Sequence, residues 1–386
     1  MKKILRIINR FNLGGPSYNA AYLTKYLESD YETLLIGGQH EENEKSSIHI
    51  LDNLDLKPII IPEMQRSLNP YKDQIVYRKI QNIIKEFKPD IVHTHAAKAG
   101  ALGRRAAYKL GVKQIYHTFH GHIFHSYFGD FKTRIFKEIE RNLAKKTTKI
   151  IAISEIQKKE LSKIHGICPE NKIEVIPLGF DLEKFNTNKD SKRKKFREKW
   201  KIKENEIAIG IIGRLVPIKN HFFFIDAIQE VLKKSDVPIR AFIIGDGEEK
   251  QNIINYIKNK NLDFSLDNSS ATFQLTSWIK DVDKVYSGMD IICLTSLNEG
   301  TPVSLIEAQA SGKPIVSTKT GGIENIVLEN KTALLSKKND LYDFSNKLIS
   351  LVNDSEKRKL LSEYGLEKSK DFHYDKLINN IKKLYS

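Results

Sequence analysis

Cysteine is scarce in this chain, and its scarcity excludes two ways of stabilising a fold. Cys168 stands just before Pro169, whereas Cys293 lies far away inside the apolar run DIICLTS. Disulfide frameworks and cysteine-based zinc sites need several cysteines at short, regular spacings. The sequence therefore predicts neither, and its cysteine usage is typical of a cytosolic protein.

Long apolar runs are also missing. No segment approaches the roughly 20 consecutive apolar residues that a transmembrane helix needs. The amino terminus, MKKILRIINRFNLGG, turns polar after a few apolar residues, so we expect no secretory signal peptide. Since 40% of the 386 residues are hydrophobic, we expect substantial cores, in two domains rather than one.

Acidic residues are outnumbered by basic ones. The chain has 63 Lys and Arg against 48 Asp and Glu, a formal net charge of +15. Such an excess attracts phosphate-bearing partners, namely nucleic acid, anionic lipid or phosphorylated substrates. A lysine-rich composition spread over solvated helix faces gives the same charge without any partner. Charge alone leaves these interpretations open.

Short apolar runs alternate with longer amphipathic segments along the whole chain, a pattern typical of βα units wound into parallel sheets. The predicted strands of the first half are KILRIIN, YETLLIG, KPIIIPE, DIVHTH, KQIYHTFH, KIIAIS and KIEVIPLG. Its clearest predicted helices are SYNAAYLTKYLES, YKDQIVYRKIQNIIKEF, AGALGRRAAYKLG and KTRIFKEIERNLAKK. A second series has strands EIAIGIIG, PIRAFIIG, ATFQLT, DIICLTS and KPIVSTK, with helices near 219–234, 248–260, 302–311 and 322–329. The sequence thus predicts an α/β protein with two Rossmann-like, doubly wound parallel-sheet halves.

A polar, heavily charged stretch with the basic cluster SKRKK separates the two series. Domain boundaries fall in such stretches because few contacts cross them. We therefore predict a first domain at 1–180, a linker at 181–204 and a second domain at 205–370. The last segment, 371–386, has the spacing of an amphipathic helix and can pack on either domain.

The loops that follow the strands carry the candidate site residues, because ligands of doubly wound sheets bind at the carboxyl ends of the strands. After the first strand comes NLGGPS, in which Gly15 permits close backbone approach and Pro16 suits a first helical turn whose amides face an anion. The GxGxxG dinucleotide fingerprint is absent. A tight turn without a ligand is the alternative.

The fifth predicted strand ends in YHTFHGH, which offers His117, His120 and His122 beside Gly121. A histidine at a strand end is well placed for substrate contact or proton handling. Zinc is the competing interpretation, but strand alternation sends His117 and His120 to opposite faces, and no cysteine or carboxylate is close in sequence. We therefore expect no metal there.

The loop GRLVPIKN follows the first strand of the second half and carries Arg214 and Lys219. Two fixed cations suit a diphosphate and can stabilise it as a leaving group, which other enzymes achieve with Mg²⁺. A pair of ordinary surface cations is the alternative.

The stretch TSWIKDVDKV contains an aromatic residue and an Asp-x-Asp motif. Trp278 is either a stacking platform for a base or a core residue. Asp281 and Asp283 match a metal-nucleotide motif of other transferases, but Asp281 stands where a short helix needs its N-cap. We expect no metal site here either.

The stretch NEGTPVSLIEAQASG holds two glutamates eight positions apart. Pro302 is the predicted first residue of a helix whose amino end can hold phosphate oxygens with its free amides and its dipole. Glu299 precedes this helix and Glu307 lies near its second turn, so they should contact different parts of one ligand. The alternative is that Glu299 only interacts with the helix dipole and Glu307 only faces solvent.

Taken together, GGP, HTFHG, GRLVPIKN, IIGDG and NEGTPVSLIEAQASGKPIVSTKTGGIENIV resemble the GT-B glycosyltransferases of family 4, also called group 1. The resemblance spans nearly the whole chain, and the Glu-x7-Glu element with its continuation is its most specific part. One departure is GGIENIV, where the family often has Pro before the Glu. It concerns the Gly321–Gly322 turn and the role of Glu324.

The resemblance implies two Rossmann-like domains facing across a cleft, with the last helix packed back on the acceptor-side first domain. It also implies a metal-independent, retaining transfer of a sugar from a UDP- or GDP-linked donor, with no cofactor. His120 and Glu299 would then lie at the reacting centre, Glu307 at the ribose, and Trp278 with Ile279 at the base. The diphosphate would contact Gly15, Arg214, Lys219, Gly300, Thr301, Pro302 and Val303.

The segment from HTHAAKAG to RNLAKK looks most like the branch of this family that builds capsular, exopolysaccharide or lipopolysaccharide glycans. Acceptors there are commonly lipid-linked, so the expected partner is a glycan or a polyprenyl-diphosphate-linked acceptor. A peripheral position on the inner face of the plasma membrane would follow. The basic residues that would meet anionic headgroups are Lys132, Arg134, Lys137, Arg141, Lys145 and Lys146.

Two other functions fit parts of the sequence. A nucleotide-sugar 2-epimerase has the same two-domain architecture and acts without an acceptor. A nucleic-acid-binding protein would fit the charge, but the sequence has no zinc finger or RNP-type aromatic strand, and its cations are scattered over both halves. We therefore expect no nucleic-acid partner.

Overall fold

The computed structural model describes residues 1–12, 14–41, 46–65, 67–121 and 130–386, with side chains from 133 onward in the last range. His122 and the side chain of Lys132 thus lie outside the described residues. The chain divides into two compact units. The first comprises Met1–Phe180 with Phe372–Ser386, and the second comprises Asp181–Asp371.

The first unit is built on a parallel sheet that has seven strands within the described residues, in the order β3-β2-β1-β4-β5-β6-β7. The strands are β1 (Lys2–Arg10), β2 (Tyr31–Gly38), β3 (Ile59–Ile60), β4 (Ile91–His95), β5 (Gln114–Phe119), β6 (Lys149–Ala152) and β7 (Ile173–Val175). The helices between them are α1 (Gly15–Lys25), α2 (Ile48–Asn53), α3 (Pro70–Phe87), α4 (Ala97–Lys109), α5 (Asp130–Lys145) and α6 (Glu155–Lys159). The strand order reverses between β1 and β4, which is where doubly wound sheets bind ligands.

Local sequence explains how these helices begin, end and pack. The Asn69 side chain accepts a hydrogen bond from the amide of Lys72, and Pro70 occupies the first turn of α3. Lys88, in the left-handed conformation, ends the helix. Between these ends, apolar side chains at helical spacing pack against the sheet in one buried cluster with Leu5, Ile7, Val76, Ile80, Ile84 and Val92.

The second unit repeats the architecture, with seven parallel strands in the order β10-β11-β9-β8-β12-β13-β14 within the part of the chain described. The strands are β8 (Ile207–Ile212), β9 (Ile239–Ile244), β10 (Phe264–Ser265), β11 (Phe273–Thr276), β12 (Ile291–Leu294), β13 (Ile315–Thr318) and β14 (Ala333–Ser336). The helices are α7 (Glu183–Asn186), α8 (Lys189–Lys199), α9 (His221–Lys234), α10 (Lys250–Asn259), α11 (Val282–Gly288), α12 (Val303–Ala310), α13 (Ile323–Ile326), α14 (Leu341–Asn353) and α15 (Ser355–Ser369). Here the order reverses between β8 and β12. β10, β14, α14 and α15 are additions to the predicted pattern, and α13 is shorter than the predicted helix at 322–329.

The stretch 181–204, expected as a linker, folds instead into α7 and α8 of the second unit. Its charged surface hides a buried apolar face, because Phe196 and Trp200 pack their rings against Phe242 of β9. Arg193 and Arg197 bind the Asp290 carboxylate at 2.7 and 3.1 Å. The high proportion of charged residues therefore led to a linker prediction for helices that pack on the core.

The last helix, α16 (Tyr374–Tyr385), packs on the first unit. Leu377, Ile378 and Ile381 are buried in one cluster with Ile4 and Leu23. Burying an aliphatic side chain of this size stabilises a fold by about 1.5–3 kcal/mol. Among the described helices of both units, none combines the length and apolar content that a membrane span needs.

Candidate active site

Two loops meet where the strand order of the second sheet reverses. Lys219 ends a short 3₁₀ turn, Pro217–Lys219, after β8, and Glu299 follows the neighbouring strand β12. The Lys219 Nζ atom lies 2.5 Å from Oε1 of Glu299, and the two side chains are only 19% and 12% exposed. The structure therefore brings two of the sequence-predicted site residues into direct contact, as a largely buried ion pair.

Hydrogen bonds between the two loops hold this pair in place. The Thr295 hydroxyl lies 2.9 Å from the carbonyl oxygen of Lys219 and 3.0 Å from that of Asn220. The amide of Leu297 donates to the carbonyl of Ile218 at 2.8 Å. Because the backbones of both loops are bonded to each other, Lys219 and Glu299 have little freedom to separate by loop movement alone.

Ser296 is a third member of this group that the sequence analysis missed. Its hydroxyl donates to Oε1 of Glu299 at 2.6 Å, beside the lysine. Its carbonyl accepts from the hydroxyls of Thr318 and Thr320 at 2.8 and 3.2 Å. Small hydroxyl residues just after β12 and at the end of β13 were the only sequence signal for this support.

The Gly321–Gly322 turn fastens the Glu299 loop from the other side. Gly321 has a positive φ of 53°, and a Cβ at Gly322 would overlap the carbonyl oxygen of Gly300. The amide of Gly322 donates to the carbonyl of Glu299 at 2.8 Å. Only glycine allows this close approach. Glu324, in the departure GGIENIV, pairs with Lys319 at 3.1 Å.

The amino end of α12 presents unused donors. The helix begins at Val303, with Pro302 at the N-cap position, and no described residue accepts from the amides of Gly300, Thr301 or Val303. A Cβ built on Gly300 meets nothing within 4 Å, so the loop in front of the helix is open. Arg214 is likewise exposed, and its guanidinium has no partner among the described residues. These groups form a set of anion donors beside Lys219.

Glu307 is bonded to a buried tyrosine rather than facing solvent alone. Its Oε2 lies 3.0 Å from the hydroxyl of Tyr286, which lies 2.9 Å from the carbonyl oxygen of Ser304. Burial of the Glu307 carboxyl raises its pKa to about 7. Tyr286 is a second residue that the sequence did not single out.

Trp278 and Ile279 follow β11. The Trp278 side chain is 42% exposed, so it is no core residue, and Ile279 is half-buried. The carboxylates of the Asp-x-Asp motif are occupied, since Asp281 pairs with Lys284 at 2.6 Å and Asp283 with Lys192 at 2.9 Å. Asp281 stands at the N-cap position of α11, but its side chain makes no capping bond, contrary to the prediction.

No group of three His, Cys, Asp or Glu side chains within the described residues is arranged to hold a metal ion. Cys168 and Cys293 are both free thiols.

The first unit carries the remaining two predicted site residues. Gly15 is the first residue of α1, directly after β1, and a Cβ there would lie 3.1 Å from Cδ1 of Leu178. His120 follows β5, and its Nε2 lies 3.0 Å from Nδ1 of His95 at the end of β4. Burial lowers the pKa of His120 to about 3.

His117 points to a different set of neighbours. Its Nδ1 lies 2.8 Å from the Thr94 hydroxyl, and a Cβ at Gly100 of α4 would overlap its ring. His117 therefore packs under α4, and its ring is hydrogen-bonded to Thr94 instead of to His120. The partner of His120, His95, was not selected from the sequence, although DIVHTH ends in a histidine at a predicted strand end.

Comparison with known proteins assigns a family to both halves. Residues 13–184 match the profile described as Glycosyltransferase Family 4, and residues 192–368 match the profile described as Glycosyl transferases group 1. The UDP-Gal:alpha-D-GlcNAc-diphosphoundecaprenol alpha-1,3-galactosyltransferase of Escherichia coli is 31% identical over 353 residues, which cover 87% of this chain and 88% of that protein. The capsular polysaccharide biosynthesis glycosyltransferase CapM of Staphylococcus aureus is 26% identical and covers 86% and 87% of the two chains.

Solved structures agree on the fold. The crystal structure of HepE from Anabaena in complex with UDP aligns over 100% of this chain and 99% of that one, with a TM-score of 0.81 and 18% identity. Two seven-stranded parallel sheets with helices are thus the GT-B architecture that the sequence predicted. The chain belongs to the family 4, or group 1, glycosyltransferases.

Proposed function

We propose that this glycosyltransferase moves a sugar from a nucleoside diphosphate sugar, with UDP as the nucleotide, to a polyprenyl-diphosphate-linked glycan. The transfer retains the anomeric configuration and uses protein cations instead of a divalent metal. The E. coli relative is named for UDP-galactose and a diphosphoundecaprenol acceptor, and solved structures of the same fold are titled as complexes with UDP. Both relatives support a UDP-linked donor, and the E. coli relative also supports this class of acceptor.

The observation that carries the proposal is the set of anion donors at the strand reversal of the second sheet. Arg214 is unpaired within the described structure, Lys219 is fixed by Glu299, and the amides in front of α12 are unused. Negative charge grows on a diphosphate as the bond to the sugar breaks. Donors that are already in place stabilise this charge without reorganisation.

Other parts of a nucleotide sugar match the remaining side chains of this unit. Glu307 offers a carboxylate to the ribose hydroxyls, and the exposed Trp278 offers an aromatic face to the base. Glu299, held by Lys219 and Ser296, keeps its second oxygen for a hydroxyl of the donor sugar. His120 is assigned to the reacting centre from the first unit.

A thermal-shift panel tests the donor, because a ligand that binds the native state raises its melting temperature. We expect UDP and UDP-sugars to raise it more than GDP, ADP or their sugars, with or without EDTA. The nucleotide sugar that raises the melting temperature most is then incubated with the enzyme and a polyprenyl-diphosphate-linked acceptor. NMR determines the anomeric configuration of the product. Conversion of the nucleotide sugar without any acceptor would contradict transfer and indicate an epimerase.

We also propose that α5 brings the enzyme to the inner face of the plasma membrane. Ile135 and Ile139, one turn apart on this helix, are 44% and 42% exposed, and Arg134 and Lys145 are exposed on the same helix. An exposed apolar stripe between cations suits an anionic lipid surface. The proposed lipid-linked acceptor gives such a position a purpose.

Vesicle sedimentation tests this second proposal. Wild-type protein should pellet with phosphatidylglycerol vesicles, and the double change Ile135→Glu with Ile139→Glu should abolish pelleting. Leu360→Glu, at a 53% exposed position of the second unit, is the matched control. Equal pelleting of all three proteins, or loss with the control as well, would remove α5 as the contact.

A further inference from the structure

Two histidines, of which His95 is buried and His120 half-buried, meet at the strand reversal of the first sheet. His95 is the last residue of β4, and His120 follows the neighbouring strand β5. The reversal between β1 and β4 is the position at which doubly wound sheets bind ligands. His95 is fully buried, and its Nδ1 lies 3.0 Å from Nε2 of His120.

The ring of His93 packs against the ring of His95. The two rings are 4.3 Å apart at an angle of 32°. Nδ1 of His93 lies 3.1 Å from Nη1 of Arg6 and 2.5 Å from the Tyr385 hydroxyl. Arginine can only donate, so this nitrogen of His93 is the acceptor, and the proton is on Nε2, 2.7 Å from the Thr118 hydroxyl. The orientation and tautomer of His93 are therefore determined.

The bond between His95 and His120 couples their protonation. Burial holds the pKa of both rings far below the ordinary range, and Arg6, His93 and His117 around them act in the same direction on His95. Each ring is therefore neutral and carries one N–H, and one of the two facing nitrogens must hold it. If His95 donates, the free nitrogen of His120, Nδ1, is a donor. If His120 donates, Nδ1 is an acceptor.

The two outer nitrogens have no other partner. His95 Nε2 and His120 Nδ1 are buried without a hydrogen bond to any described residue. Each unpaired buried polar atom costs free energy. A ligand hydroxyl can satisfy either form of His120 Nδ1 because a hydroxyl both donates and accepts.

We propose that His95 is the positioning residue of His120, holding its ring through the Nδ1–Nε2 bond and setting whether its free nitrogen donates to or accepts from a sugar hydroxyl. The proposal deepens the function proposed above, since it takes the ligand of His120 to be a carbohydrate hydroxyl. The geometry of the pair itself does not depend on that function. The two can therefore be tested apart.

The first test reads the pair directly in the whole, unliganded chain. In ¹⁵N-histidine-labelled protein, we expect a scalar coupling across the bond between one protonated and one bare imidazole nitrogen, unchanged from pH 6 to pH 8. The coupling should vanish in His95→Phe and persist in His117→Asn, which changes an equally buried histidine outside the pair. Absence of the coupling in the wild type, or its survival in His95→Phe, would overturn the proposal.

The second test uses turnover, with the donor that the panel identifies and a polyprenyl-diphosphate-linked acceptor. His95→Phe should lower kcat about 100-fold, the typical cost of a misplaced catalytic group, while the Kd of UDP stays within about twofold. His95→Asn, whose side chain can still reach the position of Nδ1, should recover most of kcat. Burial is what lowers the pKa of His120, and an apolar Phe preserves it, so kcat of His95→Phe should show no new inflection between pH 6 and pH 8.

The controls separate a positioning role from a structural one. His117→Asn should keep kcat near the wild-type value. If His95→Phe and His117→Asn lose kcat equally, or if His95→Asn recovers no more of it than His95→Phe, His95 has only a packing role and the proposal fails. If UDP does not bind the wild-type protein, the proposed function fails, while the histidine coupling still decides the pairing.

Discussion

At the scale of single residues, Lys219 and Glu299 form an ion pair before any donor is present. The ammonium of Lys219 is 2.5 Å from Glu299, and Ser296 donates to the same oxygen. A bound diphosphate would add a second anion to this lysine without needing a new loop conformation. In the proposed function, this pair holds the lysine in position before the donor binds, and a preorganised cation stabilises the charge that grows in the transition state.

We predict that Lys219→Ala lowers kcat about 100- to 1,000-fold, the range for loss of one preorganised electrostatic group. The Kd of UDP should rise less, because Arg214 and the amides before α12 still hold the ground-state diphosphate. Initial rates and titration calorimetry measure the two effects. Lys338→Ala, at an exposed lysine of the same unit, serves as the control. Unchanged kcat in Lys219→Ala would contradict the assigned role.

The proposed contact of Glu307 with the ribose would make donor binding sensitive to pH. The Tyr286 hydroxyl has one proton and two neighbours, so when Tyr286 donates to the Ser304 carbonyl, a protonated Glu307 can complete the chain by donating to Tyr286. The raised pKa of Glu307, about 7, agrees with a carboxyl that is often protonated in the free enzyme. The proposed ribose contact favours the carboxylate, because the carboxylate can accept hydrogen bonds from both ribose hydroxyls.

We therefore predict that UDP affinity rises with pH through about 7, by about tenfold between pH 6 and pH 8 if only the carboxylate binds. Glu307→Ala should weaken binding and Glu307→Gln should remove the pH dependence. Calorimetry in buffers of different ionisation enthalpy should also show proton release on binding near pH 7. A wild-type affinity that is flat over this range would contradict the prediction.

Glu307 also makes folding stability depend on pH, and the stability falls as pH rises. Since the folded pKa is raised above the ordinary value of 4.5, the contribution of Glu307 is fully present below pH 4.5 and is lost as pH rises through about 7. Unliganded wild-type protein should thus lose stability relative to Glu307→Gln between these values. Chemical denaturation at pH 5 and pH 8 gives the free energy of unfolding of the two proteins. An equal change with pH in both would show that Glu307 does not cause the pH dependence.

At the scale of elements, periodicity predicted most strands and helices but missed α8. The sequence KDSKRKKFREK is dominated by charge, and only Phe196 reveals an apolar side. This ring packs against Trp200 and Phe242, and a Cβ at Gly288 would overlap it. The helix is therefore held by two buried rings, Phe196 and Trp200, and by two arginines on Asp290.

We predict that Phe196→Ala destabilises the second unit by about 3–5 kcal/mol, the usual cost of removing a buried aromatic ring. Tyr342→Ala, where the side chain is 72% exposed, is the control and should change stability by less than about 0.5 kcal/mol. Urea denaturation measures both. If Phe196→Ala costs no more than the control, the stretch 181–204 behaves as a linker after all.

At the scale of the whole molecule, the chain begins in the first unit, forms the second and returns to the first with its last helix. The return is fastened by more than apolar contacts. The buried Arg6 guanidinium lies 3.4 Å from the Tyr385 hydroxyl, and the Tyr116 hydroxyl donates to the carbonyl of Leu384 at 2.9 Å. The two ends of the chain therefore complete one core.

We predict that removing Phe372–Ser386 destabilises the first unit but not the second, because it exposes an apolar cluster and leaves Arg6 with fewer partners. Hydrogen exchange should show lost protection in β1 and β4 and retained protection in β8 and β12. The milder change Tyr385→Phe should act in the same direction, with Ser386→Ala as the control. Equal loss of protection in both sheets would contradict the prediction.

The sequence and the tertiary structure determine different features of this protein. Periodic apolar residues, with glycines and prolines between them, determined two successive series of parallel strands, because the period of 2 or 3.6 is a local property of the backbone. The Glu-x7-Glu element likewise predicted the loop and the helix α12 that follow β12. Each of these conclusions needs only residues that are close in sequence.

The partners of the site residues were decided only by the tertiary structure. Glu299 meets Lys219, Glu307 meets Tyr286, and His120 meets His95, and each pair comes from loops or helices far apart in sequence. Such pairs depend on strand order and on side chains that converge at one edge of a sheet, and no local pattern contains this information. Burial, which sets the pKa of Glu307 and His120, is also a property of the assembled fold.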